Sequence, residues 1–165
     1  MAENNNPNVM KIIVDDGHVK VPVYNKFGTE VGVFYFQPTD IGMVDRYNKT
    51  VADFEKITEP LENVNIKNDG TVDESNDAEV EAMREAQRRL YEACDYLFGG
   101  NMSEAFFGQV HPFSPVNGRF YCENALDVVG KFISQQFARE TAKVNNRVNK
   151  YTHGYKTGKH KGGKR

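Results

Sequence analysis

The fold of this chain is decided largely by one stretch, DYLFGGNMSEAFFG at residues 95–108. Its glycines punctuate two helices. The pair at 99–100 is predicted to end an apolar helix, and Gly108 to end a short helix that begins at Asn101. Glycine just past a helix adopts the left-handed conformation without a Cβ penalty. Asn101, followed three residues later by Glu104, has the spacing of a capping box. The stretch therefore predicts a sharp helical corner.

A period-two pattern precedes this corner at the N-terminal end of the chain. From Lys11 onward apolar and polar residues alternate, with turn signals at 15–17 and 25–28. Such alternation predicts a small antiparallel meander or hairpin of two or three strands. Pro22 has no N–H to donate, so its strand is expected to be an edge or irregular strand.

Apolar residues at three- and four-residue steps predict three main helices. The first begins after Pro38, where Thr39 or Asp40 can cap it, and ends near Glu59. Its apolar stripe is expected to cover the sheet; the stripe comprises Ile41, Val44, Tyr47 or Asn48, Val51, Phe54 and Leu61. The second helix carries apolar residues over 80–97, and the third runs from about residue 120 to 148. Between the corner and the third helix, a loop fixed by Pro112 and Pro115 is predicted at 109–118. The fold class is therefore α+β: a small N-terminal antiparallel β-meander or hairpin, then three main α-helices and one short helix, with disordered termini.

Length and composition indicate one domain. The 165 residues, 39% hydrophobic and 27% charged, fit a single globular domain, placed at 11–148. We expect a disordered segment at 1–10, a mobile acidic loop at about 62–78 and a basic flexible tail at 149–165. The longest apolar run, at 33–36, is far shorter than the roughly 18 residues of a membrane span. With no secretory signal at the start, a cytoplasmic location is expected.

The charge is distributed asymmetrically. Residues 139–165 hold nine Lys/Arg and one Glu, about +8, so the remainder of the chain carries about −10 within a net charge of −2. A basic tail on an acidic body is suited to binding itself, a partner or a polyanion. The candidate basic residues of the tail are Lys150, Lys156, Lys159, Lys161, Lys164 and Arg165.

Residue patterns for catalysis or metal binding are missing from the sequence. The histidines at 18, 111, 153 and 160 lie at no metal-ligand spacing. The segment 154–159 is one residue short of a phosphate loop and lacks its Ser/Thr. His111 has serines nearby but no strand–turn–helix elbow. Cys94 and Cys122 are expected to be small buried hydrophobes, with a disulfide as the alternative. We therefore predict a protein that is not an enzyme and has no cofactor or metal.

Two segments resemble those of a known family. The sequence FYFQPTD at 34–40 opens a helix, and the corner at 95–108 precedes a final helix. Over residues 11–138 this order of elements resembles the tail assembly chaperones of long-tailed, siphovirus-type bacteriophages and prophages. The chain departs from that pattern in its acidic loop and in the segment 112–118.

The resemblance implies a non-enzymatic role in virion assembly in the cytoplasm of a bacterial host cell. Such a chaperone binds the tape measure protein, an apolar helical partner, and keeps it soluble until tail tube subunits assemble around it; self-association is a further mode. We expect the partner to contact the corner at Phe98, Phe106 and Phe107, residues whose other interpretation is core. The alternative functions are a nucleic-acid-associated phage or mobile-element protein that uses the basic tail, and another phage structural or adaptor protein. Because the acidic body would repel a polyanion, nucleic acid is not the partner we expect, and neither is a membrane.

Overall fold

A computed structural model of the chain describes residues 9–65, 67 and 77–157. Two strands form an antiparallel hairpin, β1 (Val19–Tyr24) and β2 (Glu30–Phe36). The helices that follow are α1 (Gly42–Ala52), α2 (Phe54–Thr58), a 3₁₀ helix (Glu59–Asn63), α3 (Asp77–Phe98), α4 (Met102–Phe107) and α5 (Tyr121–Thr157). A short second ladder, β3 (Pro115–Val116) with β4 (Arg119–Phe120), lies between α4 and α5. The prediction of an α+β fold is confirmed.

The core forms where the hairpin meets the corner. The inward face of β2 places Phe34 and Phe36 in a stack with ring centroids 4.0 Å apart. The ring of Phe98, at the end of α3, meets both of them edge-on. Phe106 of α4 and Phe132 of α5 contact the same stack from other sides. One aromatic cluster therefore joins the hairpin, the corner and the last helix.

The N-terminal sheet is smaller than the meander we allowed for. Residues 9–17 form no strand, and the side chains of Ile12 and Ile13 are almost fully exposed. A third strand would need the outer edge of β1, where Pro22 has no N–H to donate. The outer edge of β2 is already occupied, because the side chain of Asn101 binds its Val33 and Tyr35 backbone groups.

The first main helix is divided. The predicted helix to Glu59 ends at Ala52, and α2 starts again after Asp53. The predicted cap by Thr39 or Asp40 is wrong, because the N-cap position is Ile41 and no side chain caps the helix. Asp40 Oδ1 accepts the Gly42 N–H at 2.9 Å from one residue further back. Pro60, which follows the predicted helix end at Glu59, lies in the first turn of the 3₁₀ helix, where a proline needs no N–H bond.

Several loops and helices have other boundaries in the structure than those predicted from the sequence. Most of the predicted acidic loop at 62–78 lies outside the described residues, except that the 3₁₀ helix reaches Asn63 and α3 begins at Asp77. Helix α5 runs to Thr157, so the tail predicted from residue 149 begins as helix, and residues 158–165 lie outside the described part, as do 1–8. The segment predicted as a loop before α5 contains the β3–β4 turn. There Asn117 and Gly118 both have positive φ, 54° and 78°, as a type I′ turn requires.

Candidate partner-binding groove

The corner is fixed by two side chains whose roles the sequence did not show. Asn101 Oδ1 accepts the Tyr35 N–H at 2.8 Å, and its Nδ2 donates to the Val33 carbonyl at 2.9 Å. The predicted capping box is therefore wrong, because the Asn101 amide is used by the strand edge. Asp95 caps α4 instead, accepting the N–H of Ser103 at 2.8 Å and its hydroxyl at 2.6 Å. The Asn101 bonds hold the start of α4 against β2, and the Asp95 bonds hold it against α3.

Two glycines allow this close approach. Gly99 has φ +59°, the left-handed conformation predicted for the end of α3. Gly100 lies so near β2 that an added Cβ would collide with the carbonyl oxygen of Tyr35. On the facing strand, a Cβ at Gly32 would collide with the Ala105 carbonyl of α4. The corner therefore depends on missing side chains as much as on those present.

The corner aromatics proposed as a partner surface lie mostly in the core. Phe107 is buried and stacks on Tyr91 with centroids 5.5 Å apart. Phe106 is half-buried and faces the hairpin. Phe98 is buried too, but it also lines a large groove. Of the three, only Phe98 lines that groove.

This groove, of about 1020 Å³, lies between α1–α2, α3 and α5. Its first wall is the apolar stripe of α1 and α2, which we expected to pack on the sheet. That prediction is wrong: Val44, Tyr47 and Val51 are 61%, 57% and 54% exposed, and Met43 and Ile57 reach the core instead. The floor and second wall come from α3 and α5, through Leu90, Ala93, Cys94, Leu97, Leu126, Gly130, Ile133 and Phe137.

Two arginines attach the first wall to α3. Near the start of α1, Arg46 donates through Nε to the Leu97 carbonyl at 2.9 Å and through Nη2 to Asp40 at 2.6 Å. This guanidinium lowers the pKa of the Asp40 carboxyl. A cation beside the last carbonyls of α3 also complements the helix dipole.

The second arginine acts at the other end of the wall. Arg89 of α3 donates to the carbonyl of Lys56 in α2 and, through Nε, to Glu85 at 2.9 Å. Arg88 also binds Glu85, and the two arginines together lower the pKa of that carboxyl to about 2. The α2 end of the wall is thus attached to the middle of α3.

The lining of the groove is suited to binding rather than catalysis. Its charged residues, Asp127 and Lys131, lie on the exposed side of α5. The Cys94 thiol lines the floor, where burial raises its pKa to about 12, far from that of a reactive thiolate. Cys94 and Cys122 are free and buried, as predicted.

The other candidate residues lie away from the groove. His111 is half-buried, which lowers its pKa, and its Nδ1 accepts the Phe113 N–H at 3.2 Å. Within residues 9–65, 67 and 77–157, no group of three or more His, Cys, Asp or Glu residues is arranged to hold a metal. Of the predicted tail residues, Lys150 is exposed on α5 and Lys156 lies in its last turns, while Lys159, Lys161, Lys164 and Arg165 are outside the described residues.

Comparison of the chain with protein-family models, with characterised proteins and with solved structures gives no match. Among the described residues, no helix combines the length and the apolar character needed to cross a bilayer. A function must therefore be inferred from the groove and from the sequence resemblance.

Proposed function

We propose that this chain is a phage tail assembly chaperone that binds an apolar helical segment of the tape measure protein in the groove between α1, α3 and α5. The observation that carries the proposal is the exposed apolar wall of α1, whose Val44, Tyr47 and Val51 are each more than half exposed beside an apolar floor. Contiguous exposed apolar surface marks an interaction site. In this role the protein keeps the tape measure protein soluble until tail tube subunits assemble around that partner.

The shape and chemistry of the groove favour a helix over a small molecule. Its volume of about 1020 Å³ reaches the upper limit of ordinary ligand pockets, roughly 300–1,000 Å³. The lining is helical on both walls, and an amphipathic helix docks in such a groove through apolar anchors at three- and four-residue steps. A polar ligand would need convergent polar groups to orient it, whereas the floor presents Leu90, Leu97 and Phe98.

Burial of partner side chains supplies the binding energy and explains how solubility follows. Each Leu or Phe transferred from water into an apolar site contributes about 1.5–3 kcal/mol. A few such anchors in one groove give useful affinity after the cost of association. The same transfer hides those side chains from other copies of the partner, which prevents aggregation without any chemical step.

Co-expression tests this function. The product of a neighbouring long helical reading frame would be expressed alone, with the wild-type chain, and with Val44→Glu/Val51→Glu. Both substituted positions are exposed, so the fold should tolerate the change. Phe27→Glu is the matched control, because Phe27 is 81% exposed at the hairpin turn, away from the groove.

The expected result is a soluble partner with wild type and with the Phe27 variant, and an aggregated partner with the groove variant. A partner that is no more soluble with the wild-type chain than alone would contradict the proposal. Equal solubilisation by the groove variant would contradict the assignment of the groove.

A further inference from the structure

The apolar face of α5 that lines the groove continues beyond it. We call this face the α5 seam; it consists of eight residues, each three or four positions after the previous one. Four lie in the groove and four beyond it: Leu126, Gly130, Ile133 and Phe137, then Thr141, Val144, Val148 and Tyr151. At about 100° per residue these eight positions fall within an arc of about 80° on one face of the helix. Beyond the groove the seam is exposed, with Val144 at 50% and Tyr151 at 73%.

Beyond the groove, over residues 138–151, one flank of this seam is basic and the other is uncharged. On the basic flank lie Arg139, Lys143, Arg147 and Lys150, and on the other lie Ala138, Ala142, Asn145 and Asn149. Glu140 is the single acid among residues 138–151, and it forms an ion pair with Lys143 at 2.8 Å. The two edges of the seam therefore differ in charge.

Given the proposed function, on which this inference rests, we propose that the partner helix leaves the groove and continues along the α5 seam, with acidic residues on the edge that faces the basic flank. Residues 126 to 151 span about 38 Å at 1.5 Å per residue, so the docked segment is about 25 residues long. Its apolar residues recur at alternating three- and four-residue steps, as in paired helices.

The composition of the seam favours a protein helix over a lipid surface. Beyond Phe137 it offers Thr, Val and a single Tyr, whereas helices that lie in a bilayer interface present Trp, Phe and Leu. Charged flanks beside an apolar seam select the partner and its orientation. An exposed helix of this length also gains stability from packing against a second helix.

Two synthetic 25-residue amphipathic peptides provide the test. They share a Leu seam at three-four spacing and differ in one flank, which carries Glu in one and Lys in the other. Binding to the full chain is measured by fluorescence anisotropy at low and high salt. The charge-reversal variant combines Arg139→Glu, Lys143→Glu, Arg147→Glu and Lys150→Glu, and the control variant reverses the hairpin charges with Lys20→Glu and Lys26→Glu. Circular dichroism checks that each variant keeps its helix content.

We expect the acidic peptide to bind about tenfold more tightly than the basic one at low salt, from several exposed ion pairs, and to lose that advantage at high salt. Charge reversal on α5 should invert the preference, and reversal on the hairpin should leave it unchanged. Equal binding of both peptides, or binding of neither, would overturn the inference. So would binding of anionic phosphatidylserine vesicles or duplex DNA that requires the same four basic residues while the peptides show no preference.

The test separates this inference from the proposed function. Equal binding of both peptides that is abolished by Val44→Glu/Val51→Glu would support the groove as a binding site and exclude only the preference for acidic residues on the partner helix. A clear preference for the acidic peptide, with no solubilisation of the tape measure protein in co-expression, would support the α5 seam as a site for an acidic helix and exclude the chaperone role.

Discussion

Replacing Asn101 by alanine should destabilise the protein more than any surface asparagine change. The side chain of Asn101 satisfies two backbone groups of β2, the Tyr35 N–H at 2.8 Å and the Val33 carbonyl at 2.9 Å. Alanine removes both hydrogen bonds at once, so the start of α4 is no longer bound to the edge of β2. The same change leaves the Asp95 cap on Ser103 in place.

The magnitude follows from these two bonds. Each contributes about 0.5–1.5 kcal/mol net, so their loss should cost about 2 kcal/mol of unfolding free energy. For a chain of this length, at about 3 °C per kcal/mol, Tm should fall by about 6 °C. Asn101→Asp should recover little, because a carboxylate can accept from Tyr35 but cannot donate to the Val33 carbonyl.

Urea unfolding followed by circular dichroism measures the difference. Asn25→Ala is the matched control, since Asn25 also makes two side-chain bonds, to the amides of Phe27 and Thr29, but in an exposed turn where water can replace it. If Asn101→Ala lowers the unfolding free energy no more than Asn25→Ala does, Asn101 does not fix the corner to the sheet.

Three further predictions concern the corner, the charge cluster on α3 and the cysteines. Gly100→Ala should destabilise by about 1–3 kcal/mol, because its Cβ meets the Tyr35 carbonyl, whereas Gly130→Ala, with no atom within 4 Å of the new Cβ, should be neutral or stabilising; equal effects in urea unfolding would contradict the close approach. The Glu85 pKa of about 2 lies below its ordinary value of 4.5, so its stabilising effect is present above pH 4.5 and is lost as pH falls toward 2. The Tm difference between wild type and Glu85→Gln should therefore shrink over that range, and a constant difference would refute the pairing. Burial raises the pKa of Cys94 to about 12 and of Cys122 to about 11, so a thiol reagent at pH 8 should label them slowly in native protein and quickly in urea, and rapid native labelling would show that they are accessible.

Local signals were sufficient for much of the fold. The alternation around Val19–Tyr24 and Glu30–Phe36, the three-four spacing of α3 and the glycine at 99 each act within a few residues, and the structure has a strand, helix or turn at each place. The β3–β4 turn was missed although Asn117-Gly118 carried a strong hairpin signal. The two prolines nearby had favoured an irregular loop.

Tertiary choices were not predictable from the same patterns. An asparagine before a helix can cap that helix or bind elsewhere, and only the approach of β2 assigns the Asn101 amide to Val33 and Tyr35. The apolar stripe of α1 predicts that Val44 and Val51 pack against an apolar surface, but not whether that surface belongs to this chain or to another. The groove could therefore not be predicted from the sequence. The corner residues were predicted to bind the partner, but they lie mainly in the core, and of the three only Phe98 lines the groove.

Site-specific photo-cross-linking can show whether the partner binds in the groove. A photoreactive amino acid would replace Val51 in the groove wall and, in a matched chain, the exposed Phe27 at the hairpin turn, each co-expressed with the tape measure protein. We expect a cross-link from position 51 to an apolar helical segment of the partner, and none from position 27. Cross-linking from position 27 with none from position 51 would show that the partner binds outside the groove.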